Sequence, residues 1–128
     1  MSVEILSKRI IVIEDNHDIL DMLAYILRDE GYVVIPSLNS QPLKDIENYN
    51  PDLILLDDWL PDGYGHQLCS ALKANALTSK IPVILISSVR NLPQIAESCN
   101  ANGYIAKPFD IDYLISVVKA QLTENALS

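Results

Sequence analysis

The sequence predicts an α/β domain, a doubly wound parallel sheet built from five β–α units, and three observations carry that reading. Five short runs rich in branched aliphatics recur at similar intervals: Ile10 to Ile13, Tyr32 to Ile35, Leu53 to Leu56, Val83 to Ile86 and Tyr104 to Ala106. The runs are nearly continuous in apolar residues instead of alternating, as in strands covered on both faces. Between them lie segments with the 3.6-residue period of amphipathic helices. Strand and helix alternating five times favours right-handed crossovers, with helices on both sides of one sheet.

The first strand leads into the clearest helix. Ile19, Met22, Leu23, Ile26 and Leu27 fall at i, i+3, i+4, i+7 and i+8, Asn16 stands where an N-cap is wanted, and Gly31 follows the last turn. After the second strand a helix is expected near 40–49, with Pro42 in its first turn, where a missing N–H costs nothing. The third strand is followed by a helix near 65–75. The fourth precedes one near 91–99, with Pro93 in its first turn. After the fifth strand, Asp110 caps a last helix that turns Ile111, Leu114, Ile115, Val118 and Leu122 inward. No linker or low-complexity stretch interrupts the chain, so a single domain is expected over residues 1–128, with a core from about 9 to 124 and short tails.

Composition narrows the function. Apolar residues make up 49% of the 128 and charged residues 20%, enough to bury a core without a partner. Nine Lys and Arg against 17 Asp and Glu give a net charge of −8, which repels phosphate backbones and anionic membranes. Direct nucleic-acid binding and membrane insertion are therefore not expected, and the start MSVEILSKRI lacks the apolar run of an export signal. A cytoplasmic location follows as the expectation. Cys69 and Cys99 lie far apart on predicted helices without CxxC spacing, and are read as reduced, mostly buried thiols. His17 and His66 are read as solvated residues at helix ends, with no metal role.

Parallel strands gather whatever follows them at one edge of the sheet. Glu14 and Asp15 follow the first strand, Asp57 and Asp58 the third, Ser87 and Ser88 close the fourth, and Lys107 follows the fifth. Two strand orders are common for such a sheet. In the order 2-1-3-4-5 the first and third strands flank the crevice where ligands bind, so Glu14, Asp15 and Asp57 converge. Three carboxylates so close repel unless some stay protonated, they splay apart, or a cation enters. Mg²⁺ suits them, since it takes hard oxygens and keeps several waters. A carboxylate attacking a phosphoryl group needs such a metal, together with fixed donors like the Lys107 ammonium and the Ser87 hydroxyl.

Glu14-Asp15 after the first strand, Asp57 within PDLILLDDWLPDGYG, Ser87 within IPVILISS and Lys107 within GYIAKPF resemble the receiver domain of two-component response regulators, over about Arg9 to Leu122. That resemblance implies a flavodoxin-like (βα)5 fold in the order 2-1-3-4-5. It also implies Mg²⁺-dependent transfer of a phosphoryl group to Asp57 from a phosphohistidine on a histidine kinase or phosphotransfer protein, followed by slow hydrolysis. Carried over by position, Asp15, Asp57 and the backbone carbonyl of Trp59 would bind the metal, and Glu14 would act through a metal-bound water. Lys107 and Ser87 would contact the phosphoryl group. Tyr104, three residues before Lys107, would be the switch aromatic that turns inward as Ser87 moves, reshaping a surface for a downstream protein. Pro108 resembles the family's cis proline.

Some residues depart from the pattern. Glu14 stands where Asp is commoner, Trp59 is bulky for its place, and Asp58 adds a charge beside the acceptor that strand alternation points elsewhere. Neither Trp59 nor Val89 can hold a hydrolytic water, and the indole is expected to obstruct its path and slow the loss of phosphate about tenfold. A haloacid-dehalogenase type of hydrolase would need an acid at the Trp59 position, and a flavin domain a Ser/Thr/Gly-rich loop where IVIEDNHDI stands. The remaining alternative is a receiver-shaped interaction module that is never phosphorylated. Such modules usually lack the acceptor, the acidic pair or the Lys, and this chain keeps all three.

Overall fold

Alternate residues of each central strand pack into two different hydrophobic layers, which is why the strands are apolar without a break. The computed structural model describes residues 7–127, with side chains to residue 123. The parallel sheet comprises β1 (Arg9–Ile13), β2 (Val33–Ser37), β3 (Leu53–Asp57), β6 (Val83–Ser87) and β7 (Gly103–Ala106). Between β3 and the next helix lie β4 (Trp59–Leu60) and β5 (Gly63–Tyr64), a two-residue antiparallel hairpin. The order β2-β1-β3-β6-β7 is the predicted 2-1-3-4-5 once the hairpin is set aside. Register places Ile13 beside both Ser37 and Leu56, and Ser87 beside Ala106, so the carboxyl ends come out together. The short amino-terminal tail, the absence of an export signal in it, and the last residue of the chain fall at 1–6 and 128, outside the described residues.

Ile10, Val12, Leu53, Leu55, Ile84 and Ile86 face one layer, made with α1 (His17–Asp29) and α6 (Ile111–Leu127). Ile11, Ile13, Ile54, Leu56, Val83 and Leu85 face the other, made with α4 (Gly65–Ala74) and α5 (Leu92–Ser98). Each such side chain contributes about 1.5–3 kcal/mol by leaving water. The two edge strands depart from the reading of strands covered on both faces: Val33 is exposed and Val34 buried in β2, and Tyr104 and Ala106 are exposed and Ile105 buried in β7. The predicted caps form: Asn16 Oδ1 accepts from the Ile19 amide at 3.0 Å, and Asp110 Oδ1 from the Asp112 amide at 2.8 Å.

The helix expected near 40–49 is instead two single turns, α2 (Gln41–Lys44) and α3 (Ile46–Tyr49). The Leu43, Asp45 and Asn48 amides bond to carbonyls three residues back, and neither turn has a side-chain cap. Tight i→i−3 winding keeps Leu43, Ile46 and Tyr49 toward the core but does not sustain a longer run. Beside these turns lies a cavity of about 540 Å³, closed on its far side by Leu68 and Leu72 of α4.

Cys69 and Cys99, distant in sequence, are neighbours in the core, where the Cys69 thiol meets the Cys99 carbonyl at 3.4 Å. Burial first, then Cys99, pushes the Cys69 thiol up to about 12. It is a protonated, inert packing group.

Candidate functional site

Each strand end contributes a side chain that its own backbone fixes. Glu14 leaves β1 with its amide bonded to the Ser37 carbonyl at 3.0 Å, and its Oε2 accepts from the Asn16 amide at 3.1 Å. It is 1% exposed, and Asp57, the last residue of β3, is 4% exposed. Asp15 is exposed at the mouth of the pocket. One oxygen from each of Glu14, Asp15 and Asp57 lies within 4.8 Å of the others. Lys107 donates its amide to the Ser87 carbonyl at 2.9 Å, and the Lys107–Pro108 peptide is cis, as the sequence resemblance implied.

The Lys107 ammonium stands between two of these acids, 2.8 Å from Glu14 Oε1 and 3.5 Å from Asp57 Oδ1. Among the described residues the Lys107 ammonium is the one close partner of the buried Glu14 Oε1. Burial, then the Glu14 charge, pushes Asp57 up to about 7, against the opposing pull of Lys107. Burial alone would lower Lys107, but the Glu14 carboxylate and then Asp57 outweigh it and hold the ammonium above its ordinary value. Three carboxylates with one ammonium in a half-open pocket thus share too little positive charge. Three converging carboxylates, one of them partly protonated, are what a divalent cation would relieve, and hard oxygen donors suit Mg²⁺.

Ser87 is buried at the end of β6, its Oγ accepting from the Val89 amide at 3.2 Å, which leaves the hydroxyl hydrogen free to donate. Tyr104 on β7 is 42% exposed and so stands in an outward orientation. Trp59 lines the rim of the acidic pocket with Val89. The residue, however, is 65% exposed and its ring meets Tyr64 edge-on at 5.2 Å, so it leans on the hairpin instead of filling the approach to Asp57. That weakens the expectation of a blocked water path.

Two residues differ from or add to the sequence reading. Strand alternation does turn Asp58 away from Asp57. It turns it onto His66, which is therefore not the solvated residue expected: Asp58 Oδ1 accepts from the His66 amide at 2.9 Å and lies 2.7 Å from Nδ1. Asp62, at the hairpin tip, accepts from both the amide and the hydroxyl of buried Ser40. An acid just after β3, eight residues before a His at the start of α4, was the only signal for the first pair. His17 does sit exposed on α1, facing Asp21 at 3.7 Å.

The family model described as the response regulator receiver domain matches residues 10–119. The chain belongs to that family. This receiver domain is 31% identical over 121 residues to the DNA-binding response regulator MtrA of Mycolicibacterium smegmatis, covering 92% of this chain and 52% of that protein. It is 32% identical over 123 residues to the phosphate regulon transcriptional regulatory protein PhoB of Escherichia coli, covering 90% and 52%. The receiver thus spans about half the length of the curated relatives it matches. Among solved structures, a CheY-like response regulator receiver domain protein from Methanospirillum hungatei superposes with a TM-score of 0.83 at 32% identity, covering 93% of this chain and 96% of that one. The signal receiver domain of a histidine kinase from Syntrophus aciditrophicus gives 0.84 at 30% identity, covering 92% of each.

Proposed function

We propose that this receiver domain is a phosphorylation switch in which Asp57 takes a phosphoryl group from a phosphohistidine of a sensor kinase or phosphotransfer protein. The observation that carries it is the convergence of Glu14, Asp15 and Asp57 with the Lys107 ammonium lodged between Glu14 and Asp57. Asp15, Asp57 and the Trp59 carbonyl would hold Mg²⁺ directly, with Glu14 acting through a water. When bound, the cation neutralises phosphoryl oxygens and favours the ionised form of Asp57.

An Asp57 carboxylate oxygen attacks phosphorus, the phosphorus–nitrogen bond to the donor imidazole breaks, and the electron pair leaves with the imidazole. With its acid held near 7, the cation-free site is half protonated at neutral pH and correspondingly a poorer nucleophile. Lys107 is within reach of Asp57 and offsets charge on the transferred group. Ser87 offers its free hydroxyl hydrogen and, on moving toward the phosphoryl oxygens, gives up its contact with the Val89 amide. Tyr104 then turns in from its exposed position, and the altered face is read by a downstream protein.

The reading extends to one domain over residues 1–128 that acts on itself, adding and slowly losing its phosphate, and is not a metabolic enzyme. A cytoplasmic setting without direct nucleic-acid contact fits the net charge of −8. Among the described residues no helix is long and apolar enough to cross a membrane.

The test is intact-mass measurement after incubation with Mg²⁺ and acetyl phosphate. Wild type should gain one phosphoryl group and Asp57→Asn none. No gain in wild type, there or with a panel of histidine kinases, would leave the unphosphorylated interaction module as the better account.

A further inference from the structure

Asp58 is tied at every polar group. Its amide donates to the Ile86 carbonyl at 3.1 Å and its carbonyl accepts from the Gly65 amide at 2.8 Å. Its buried carboxylate takes the His66 amide and Nδ1. The imidazole is stacked on Tyr64, with centroids 5.3 Å apart and planes at 26°, and Tyr64 meets the Trp59 ring edge-on. Trp59 and Tyr64 also face each other across the hairpin. A closed circuit of contacts therefore runs from Asp58 through His66 and Tyr64 back to Trp59. The covalent link that closes it is the Asp58–Trp59 peptide, so the backbone is held just before the Trp59 carbonyl. A carboxylate this well buried is strongly unfavourable unless it is paired, so the pair is held tightly.

We infer that the Asp58–His66 pair is a positioning device: it fixes the backbone at Trp59 so that the carbonyl can serve the cation, and it thereby sets the affinity of the acidic pocket for Mg²⁺. The inference rests on the Mg²⁺ reading above. A carbonyl on a freely moving loop would pay its ordering cost at each binding event, whereas one already fixed does not. His66 touches no proposed ligand side chain. Its role does not depend on its charge, since Nδ1–H donates in the neutral tautomer as in the cation.

Calorimetric titration of metal-free protein with Mg²⁺ tests this, with the Mg²⁺ dependence of phosphate uptake measured alongside. His66→Leu should weaken Mg²⁺ binding about tenfold. Its uptake rate at saturating Mg²⁺ should stay within about twofold of wild type, a KM-type effect. His66→Asn places an amide donor where Nδ1 stood and should recover wild-type affinity; being uncharged, it also separates hydrogen bonding from charge. Unchanged affinity in His66→Leu overturns the inference, even if its melting temperature falls. Equal losses in the Leu and Asn variants overturn it too. No Mg²⁺ binding by wild type would instead remove the reading on which it rests.

Discussion

Along β3, Leu53 to Leu56 and then Asp57 are all buried, yet the two parts of the strand do opposite things. The body of the strand sits between two apolar layers and gains free energy from every side chain it removes from water. Its end holds a carboxylate against two others with a single ammonium nearby, which is unfavourable until something positive arrives. The interior of the sheet makes the stability, and the carboxyl edge uses part of it to keep reactive groups in a place they would otherwise leave.

The contrast is sharpest if each part is altered in turn. Leu55→Ala, in the body, should destabilise by about 3–5 kcal/mol, because a fully buried leucine leaves a cavity that neighbouring strands cannot close. Urea unfolding with an unchanged m-value would check it; a loss below about 1 kcal/mol would mean the body is loosely packed.

Asp57→Asn, at the end, should go the other way. In chelator at pH 8 it should stabilise by up to about 4 kcal/mol, the linkage value of an acid moved from about 3.9 to about 7. The folded protein holds the acid near 7, above the unfolded value of about 3.9, so between those values it binds more protons than the unfolded chain. Wild-type stability therefore falls as pH rises from about 4 to about 7, and the advantage of the Asn variant should vanish toward pH 4. Melting curves of both proteins across that range settle it. A variant less stable than wild type at pH 8 would erase the distinction between body and end.

The smallest effect is expected at the rim. With its ring leaning on Tyr64, Trp59→Asn should change the half-life of phosphorylated Asp57 by no more than about threefold, under 1 kcal/mol in barrier. Phosphate loss after donor removal, followed on a Phos-tag gel, measures it. A tenfold change would restore the indole as a barrier to water.

Much of this was legible beforehand because buried parallel strands announce themselves as unbroken aliphatic runs, and because such a sheet brings Glu14, Asp57, Ser87 and Lys107 to one edge whatever their spacing. What escaped depends on contacts that no local pattern encodes. The break at Asp45 turns on a choice between i−3 and i−4 carbonyls, which differ little in energy for a short polar helix. The Asp58–His66 pair exists only because α4 begins over the end of β3. The meeting of Cys69 with Cys99 requires knowing how α4 and α5 sit side by side.

The junction at Gly65 has a mechanical meaning. A Cβ there would stand 2.2 Å from the Asp57 carbonyl oxygen and 2.9 Å from the Asp58 Cα, so backbone rests on backbone with no side chain as a cushion. Material packed this closely passes on a displacement instead of absorbing it. The ten residues of α4 form a rod of about 15 Å whose first residue rests on that contact. Its last turn borders the 540 Å³ cavity and is tied to the loop that follows it, Lys73 donating to the Ser79 and Ile81 carbonyls at 3.1 and 2.7 Å. A backbone shift at Asp57 would therefore be felt by α4 as one piece, from the acidic pocket at its start to the cavity at its end.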